Sequence, residues 1–243
     1  MGETRKGSRV RRRALLAAPA LLAAPAASAQ AGAVDLLLVL AVDASGSIDA
    51  DEFALQREGI AEALAHAAVL GAIRSKPRAA IGVAMVEWGS PGGAETVVDW
   101  RRIADAASAE AVAAEIRDGP RSRQSFNAIG DALVHAGALL AAAPWPAAER
   151  TIDVSGDGPD MRSHMPAPAA RDVLVAAGVV INGLAIEASS NWRDGRLAAL
   201  FERDVIGGPG AFVLRAEDRR DFARAMRAKL IREIAGLPGP VRG

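Results

Sequence analysis

The stretch that decides the fold is residues 34–47, which read Val-Asp-Leu-Leu-Leu-Val-Leu-Ala-Val-Asp-Ala-Ser-Gly-Ser. Its first nine residues are almost all apolar, which is typical of a strand buried on both faces of a parallel sheet. A short polar segment, residues 43–47, then leads into a predicted helix. Asp49 and Glu52 form a capping-box pattern at the start of that helix. The stretch therefore predicts a strand, a polar loop and a helix, which is the repeating unit of an α/β fold.

The same alternation of strands and helices continues through the chain. Further strands are predicted at 79–88, 96–100 (a short strand, suited to an edge), 151–155, 179–186 and 211–214, and helices at 49–72, 108–117, 126–142, 167–177, 193–203 and 218–235. Such an order implies right-handed crossovers and an α/β fold with a doubly wound, mostly parallel sheet flanked by helices. Ligands bind in these folds at the carboxyl ends of the strands, where the polar loops 43–47 and 155–160 fall.

The composition excludes several classes of protein. The chain has 243 residues, of which 51% are apolar and 24% charged, so it is long and apolar enough to bury a core. It has no cysteine, which excludes disulfide scaffolds, thiolate metal sites and cysteine nucleophiles. Residues 1–29 hold six of the 29 basic and one of the 29 acidic residues, which leaves a net charge of −5 on the rest. This acidic body argues against nucleic acid as a partner.

The first 29 residues have the pattern of a signal peptide. Residues 1–13 are basic, residues 14–27 contain only Ala, Leu and Pro, and Ala27-Ser28-Ala29 provides the small residues of a cleavage site before Gln30. Arg12 and Arg13 precede Ala-Leu-Leu, as in a twin-arginine signal, and both Tat and Sec export remain open. No second apolar run reaches membrane length. We therefore expect one domain over 30–243, periplasmic or secreted, without an integral membrane segment.

The two polar loops at strand ends carry candidate metal ligands. The first places Asp43, Ser45 and Ser47 on one turn, and the second carries Asp157. All these donors are oxygens, which favours a hard cation: Mg²⁺, with Mn²⁺ or Ca²⁺ as alternatives. Two carboxylates and neutral hydroxyls leave coordination positions for water and for an outside carboxylate. The alternative is structural, with Asp43 capping the following helix and the loop forming an ordinary Ser/Gly turn.

These residues resemble the von Willebrand factor type A domain and its metal-ion-dependent adhesion site, and most closely its branch of exported, uncharacterised bacterial proteins. The resemblance covers roughly residues 34–235. Its most specific parts are Asp43-Ala44-Ser45-Gly46-Ser47, Val154-Ser155-Gly156-Asp157-Gly158 and Val180-Ile181-Asn182-Gly183-Leu184. It implies that Asp43, Ser45, Ser47 and Asp157 belong to the metal site, the serines in direct contact and the carboxylates often through water.

One position departs from the family pattern. The family usually has Thr shortly before the helix at 126–142, where this chain has Asn127. We take the Asn127 side-chain oxygen as the fifth candidate ligand. The alternatives are that Asn127 only caps the helix, or that Ser125 takes the ligand position.

The motifs favour recognition over catalysis. The chain contains no dinucleotide-binding, Walker A or nucleophile-elbow motif, and no His is placed to act as a base for Ser45. We expect a non-enzymatic domain whose cation mediates contact with a protein or another carboxylate-bearing ligand. Two alternatives remain. One is a metal-dependent hydrolase with the ion held by Asp43 and Asp157. The other is a metal-free scaffold that no longer binds a cation because Asn127 stands where the pattern has Thr. A small-molecule carrier is a weaker third.

Overall fold

A computed structural model describes residues 1–2, 32–187, 194–218 and 220–236. The predicted signal peptide lies outside these residues, except for Met1 and Gly2. The described strands form one six-stranded sheet with the order β3-β2-β1-β4-β5-β6. The strands are β1 (Val34–Asp43), β2 (Ile81–Trp88), β3 (Glu95–Ile103), β4 (Ala147–Gly156), β5 (Val180–Ile186) and β6 (Val213–Ala216). All neighbouring pairs are parallel except β2 and β3, which confirms the predicted mostly parallel α/β sheet.

Helices cover both faces of the sheet. The described helices are α1 (Ala50–Ala65), α2 (Ala67–Arg74), α3 (Ala106–Asp118), α4 (Ile129–Ala141), α5 (Ala167–Ala176), α6 (Arg196–Asp204) and α7 (Phe222–Ala235). Successive residues of β1 point to opposite faces. Leu36, Leu38 and Leu40 pack with α1, α2, α3 and α7, while Leu37 and Val39 pack with α4, α5 and α6. The continuous apolar run of β1 is therefore explained by burial on two faces.

The centre of the sheet places two loops side by side. β1 pairs with β2 on one side and β4 on the other, so the direction of winding changes between β1 and β4. In the register of this pair, Val42 lies opposite Ser155. The loops that follow Asp43 and Gly156 consequently leave the same edge of the sheet as neighbours, at the switch point where α/β folds bind ligands.

Several predicted elements differ from the structure in their bounds: β4, for example, covers Ala147–Gly156 and not only 151–155. Two differences have an identifiable physical basis. The helix expected over 49–72 is two helices, because His66 has extended backbone angles and its ring accepts a hydrogen bond from the Ala68 amide. An imidazole capping a new helix within an alanine-rich run gives no clear breaker signal in the sequence. The short strand expected at 96–100 extends over Glu95–Ile103 and lies antiparallel at the edge of the sheet. The capping box of Asp49 and Glu52 is confirmed.

None of the helices in the described ranges combines the length and hydropathy needed to cross a lipid bilayer.

Candidate functional site

Asp43, the last residue of β1, is fully buried at the centre of the site. Its Oδ1 accepts a hydrogen bond of 2.8 Å from the Ser45 amide, which tightens the loop into a turn. The backbone carbonyl of Asp43 accepts a bond of 2.8 Å from Gln56 Nε2 of α1. Asp43 does not cap α1, since that position belongs to Asp49. The carboxylate is therefore held by its own loop and does not serve as the N-cap of the helix.

A chain of hydrogen bonds joins the loop after β1 to the loop after β4. The hydroxyls of Ser45 and Ser47 lie 3.1 Å apart. Ser47 Oγ donates to Asp157 Oδ2 at 3.2 Å, and the Asp157 amide donates back to Asp43 Oδ2 at 3.3 Å. The structure thus brings four of the five predicted site residues into one connected group of oxygens.

Burial and the nearby Asp157 disfavour the ionised form of Asp43. Burial, followed by the nearby charge of Asp157, raises the pKa of Asp43 to about 7, although hydrogen bonds from Ser45 and the Asp157 amide oppose the rise. No lysine or arginine among the described residues forms an ion pair with Asp43. A buried acid in this setting is stabilised either by a proton or by a cation bound beside it.

The fifth predicted residue, Asn127, lies against the loop that carries Asp157. Its Oδ1 is buried and has no hydrogen-bond partner. A Cβ on Gly158 would come within 2.4 Å of Asn127 Nδ2, so any larger residue after Asp157 would displace the Asn127 side chain. The alternative role as a helix cap is wrong, because Ala128 occupies the N-cap of α4 and no side chain caps it. A buried amide oxygen without a partner costs free energy unless something binds it.

Ser125, the proposed substitute for Asn127, touches the site through its backbone. Its carbonyl accepts a hydrogen bond of 3.2 Å from the Gly46 amide. A Cβ on Gly46 would lie 3.4 Å from that carbonyl oxygen. The segment between α3 and α4, which contains Ser125, therefore packs directly on the loop after β1.

Arg121 holds the first loop in place, a role that sequence reasoning missed. Its Nη2 donates to the carbonyls of Ala44, Ser45 and Ile48, at 3.3, 3.3 and 2.8 Å. Its Nη1 reaches the carbonyl of Asp49 at 3.4 Å. One guanidinium thus binds several carbonyls of the loop that carries Ser45 and Ser47. An arginine in a polar loop has no distinguishing pattern, so only the structure reveals the contact.

A buried ion pair supports the loop that contains Arg121. Arg57 of α1 bonds Glu87 of β2 at 2.6 Å, and both side chains are almost fully buried. The guanidinium also donates to the carbonyls of Ile116, Gly119 and Pro120. Glu87 Oε2 accepts from the Ser122 amide at 2.7 Å, which fixes the backbone next to Arg121.

Asp160 joins the starts of two helices. Its Oδ1 accepts from the Gly130 amide of α4 at 3.1 Å, and its Oδ2 accepts from the Ala167 amide of α5 at 2.9 Å. These are backbone donors that a helix cannot satisfy internally. Asp160 is consequently a structural residue of the Asp157 loop.

The donor set fits a hard divalent cation. It consists of two carboxylates, two hydroxyls and one amide oxygen, all of which are ligand types that Mg²⁺ and Ca²⁺ accept. The described residues contain no group of three or more His, Cys, Asp or Glu side chains able to hold a metal. The candidate site is therefore neither a His/Cys site for a soft metal nor a site built from several carboxylates. The unpartnered Asn127 oxygen and the buried Asp43 are the two features that such a cation would satisfy.

Comparisons with known proteins place the fold. The model of the family described as "Protein of unknown function (DUF1194)" matches residues 33–238. Among curated proteins, none matches this chain by sequence. Similar solved structures include the pilus adhesin SpaC from Lactobacillus rhamnosus GG, with a TM-score of 0.60 and 14% identity over 83% of this chain and 31% of that one.

Two further structures are similar to the chain. One is proximal thread matrix protein 1 from the mussel byssus, described with a zinc-occupied MIDAS motif (TM-score 0.59, 17% identity, 83% of this chain and 46% of that one). The other is the vWF domain of the type V pili tip protein Mfa5 from Porphyromonas gingivalis (TM-score 0.58, 11% identity, 87% and 99%). The chain spans less than half the length of the first two structures. At these identities the likeness establishes the fold alone, which is that of a von Willebrand factor type A domain, as the resemblance predicted.

Proposed function

Because the chain belongs to the DUF1194 family and has a von Willebrand factor type A fold, we propose that it is an exported recognition domain that binds one divalent cation. The residues that would hold the cation are Asp43, Ser45, Ser47, Asn127 and Asp157. Bound there, the cation would supply a Lewis-acidic position for a carboxylate of a protein partner or other ligand. The activity is recognition and not turnover.

The observation that carries the proposal is the hydrogen-bonded group of Asp43, Ser45, Ser47 and Asp157. Two acidic side chains and two hydroxyls from different strand ends converge, with Asp43 fully buried. Burying a carboxylate beside a second one costs free energy unless a bound proton or cation compensates for it. The mussel thread protein, with its zinc-occupied MIDAS motif, is consistent with divalent-cation binding on this fold.

The test is calorimetric titration and thermal unfolding of the purified protein with Mg²⁺, Mn²⁺, Ca²⁺ or EDTA. A cation at a hundred times its dissociation constant stabilises the protein by about 2.7 kcal/mol, which is a clear rise in Tm. We expect one bound cation per chain, and we expect Asp43→Ala and Ser47→Ala to lose both the binding heat and the Tm shift. Asp51→Asn is the matched control, because Asp51 is an exposed acid at the start of α1 that is not one of the proposed ligands.

The same experiment separates the alternatives. A wild-type Tm that no cation moves would overturn the proposal and favour a metal-free scaffold. Cation-dependent hydrolysis of p-nitrophenyl phosphate or a model peptide, lost in Asp43→Ala, would favour a hydrolase instead.

Export is part of the proposal and rests on the signal-peptide pattern of residues 1–29. Two of the similar structures are a pilus adhesin and a pilus tip protein, which agrees with a position outside the cytoplasm. Mass spectrometry of the protein exported by its native host is expected to give Gln30 as the first residue. An intact N-terminus at Met1, or cleavage elsewhere, would contradict this boundary.

A further inference from the structure

Exposed apolar side chains are concentrated beside the candidate site. Six large apolar side chains within the described ranges from residue 32 onward are exposed. Four of them lie in the loops that carry Asn127 and Asp157, or on α4: Phe126 (39% exposed), Val134 (46%), Met161 (47%) and Met165 (39%). We name these four residues the apolar rim. Exposed apolar groups that collect in one place mark binding surfaces, whereas scattered ones are ordinary.

The apolar rim is built onto the site. The Met161 amide donates to the Asn127 carbonyl at 2.7 Å, so the loop after Asp157 is fastened to the residue that follows Phe126. Arg162 has a left-handed backbone (φ 64°), and its guanidinium stacks 4.6 Å above the Phe126 ring. A residue other than glycine costs free energy in that conformation. This strained turn leaves the Met161 and Arg162 side chains exposed beside Phe126.

The rim continues into a cavity on one side of α4. Val134 and Met165 line an open cavity of about 580 Å³ together with Ala94, His135 and the hydrogen-bonded pair of Asp131 and His164. The imidazole of His135 is bonded to Thr96 Oγ1 at 2.9 Å, so the cavity wall is fixed. This volume accommodates an apolar side chain of a bound peptide segment.

The exposed charged side chains differ between the start of α1 and the loops around Phe126. The start of α1 next to Ser47 is acidic, with Asp49 and Asp51 exposed. Two exposed arginines accompany Phe126: Arg123 lies three positions before it in the same loop, and Arg162 stacks on its ring. Arg121, on the α1 side, is half-buried and bonded to loop carbonyls. The exposed arginines beside Phe126 therefore favour the approach of a carboxylate from that side.

We infer that the partner is a protein segment in which an Asp or Glu is flanked by an apolar residue. The carboxylate binds at the cation site and the apolar side chain packs on Phe126 and Met161. The inference rests on the proposed function and adds the partner's chemistry to it. A carboxylate alone satisfies the cation, but only an adjacent apolar group covers the rim.

The experiment follows methionine methyl groups by NMR in the full chain labelled with ¹³C-methyl methionine. Met161 and Met165 are exposed in the rim, while Met85 and Met226 are fully buried and serve as internal references. The probes are acetyl-Leu-Asp-Leu-amide, acetyl-Ser-Asp-Ser-amide and acetyl-Leu-Asn-Leu-amide, each titrated with Mg²⁺ or with EDTA.

With Mg²⁺, acetyl-Leu-Asp-Leu-amide is expected to shift the Met161 signal and to bind about tenfold more tightly than the serine peptide, since apolar surface leaves water. The asparagine peptide and the EDTA samples should show no binding. Phe126→Ser and Met161→Gln should abolish the preference for leucine while leaving the heat of Mg²⁺ binding unchanged. Arg196→Gln is the control variant, because Arg196 is an exposed residue at the start of α6 and outside the rim.

Each result that would contradict the inference can be recognised in these measurements. Equal affinity for the leucine and serine peptides, with normal Mg²⁺ heat, would overturn the apolar requirement and leave the proposed function standing. Absence of Mg²⁺ heat would overturn both. If sedimentation shows Mg²⁺-dependent dimers that Phe126→Ser dissociates, the rim binds a second copy of the chain, and a foreign partner segment is wrong.

Discussion

The amide of Asp157 donates a hydrogen bond to Asp43 Oδ2 at 3.3 Å, across the junction of β4 and β1. The same residue that raises the pKa of Asp43 through its charge therefore also holds that carboxylate through its backbone. The backbone bond survives substitution of the Asp157 side chain, but the charge does not. The two contributions of Asp157 can consequently be separated by mutation.

Asp157→Asn should leave the metal-free protein as stable as the wild type, or more stable. The asparagine Oδ1 can still accept the hydroxyl of Ser47, and the like charge next to Asp43 is removed. The stabilisation by Mg²⁺, about 2.7 kcal/mol at a hundredfold excess over the dissociation constant, should fall by more than half. Paired unfolding curves in EDTA and in Mg²⁺ measure both quantities. An unchanged Mg²⁺ increment would remove Asp157 from the proposed ligand set.

Asn127→Ala tests whether Asn127 is a ligand of the cation or only a packing residue. Asn127 Oδ1 has no partner in the structure, so its loss should change the metal-free stability by less than about 1 kcal/mol. If the oxygen binds the cation, Mg²⁺ affinity should fall by about tenfold or more, as measured by calorimetry. Asn127→Thr, which introduces the residue that the von Willebrand factor type A pattern would have here, should retain most of the affinity. Wild-type affinity in the alanine variant would contradict the assignment.

Arg121→Lys should loosen the loop that carries the two serines. Lysine has one flexible ammonium in place of the rigid fork that binds the Asp49 carbonyl through Nη1 and the Ile48 carbonyl through Nη2, so the variant should lose about 1–2 kcal/mol of unfolding free energy. Amide hydrogen exchange should quicken at residues 44–49, and Mg²⁺ affinity should fall with it.

Arg123→Lys is the matched control, because Arg123 is an exposed arginine two positions away in the same loop. Equal effects of the two substitutions on exchange and affinity would show that Arg121 does not act through the loop carbonyls.

The sheet was predictable because its central strands are buried on both faces. The strands β1 and β5 are apolar apart from Asp35 and the terminal Asp43 in β1 and Asn182 in β5, and the loops between elements contain the expected Gly and Asp residues. The start of β4 was not predictable, since Ala147–Arg150 are partly exposed and pair with β1 without an apolar run. The break at His66 was missed for a similar reason, because one side-chain hydrogen bond decides it.

At the site, the sequence indicated the residues that offer oxygen atoms but not those that position them. Asp43, Ser45 and Ser47 fall on one turn, so their proximity follows from spacing alone. Proximity to Asp157 follows from the adjacent ends of β1 and β4. Arg121 and Glu87 act through backbone carbonyls and amides of distant loops, and no local pattern encodes such contacts.

Away from these loops, a second buried charged group joins β4 to α7. Lys229 of α7 contacts Asp153 of β4 at 2.7 Å and Glu233 at 2.6 Å, and all three side chains are buried. Glu233 also accepts a bond of 2.8 Å from Asn182 of β5. One lysine faces two acids, so burial and then the charge of Asp153 raise the pKa of Glu233 to about 7, although Lys229 opposes the rise.

Glu233→Gln should therefore change how stability depends on pH. Between pH 4.5 and 7 the folded wild type keeps a proton that the unfolded chain releases, so its unfolding free energy falls as the pH rises through this window. The glutamine variant lacks this loss of unfolding free energy. Its unfolding free energy relative to that of the wild type should therefore increase as the pH rises and become constant above pH 7. Urea unfolding at pH 5, 6, 7 and 8 in EDTA measures the trend. Glu62→Gln is the control for net charge, because Glu62 is an exposed acid of α1. Its unfolding free energy should vary with pH as that of the wild type does. A constant difference between Glu233→Gln and the wild type at all four pH values would mean that Glu233 is ionised in the folded protein throughout.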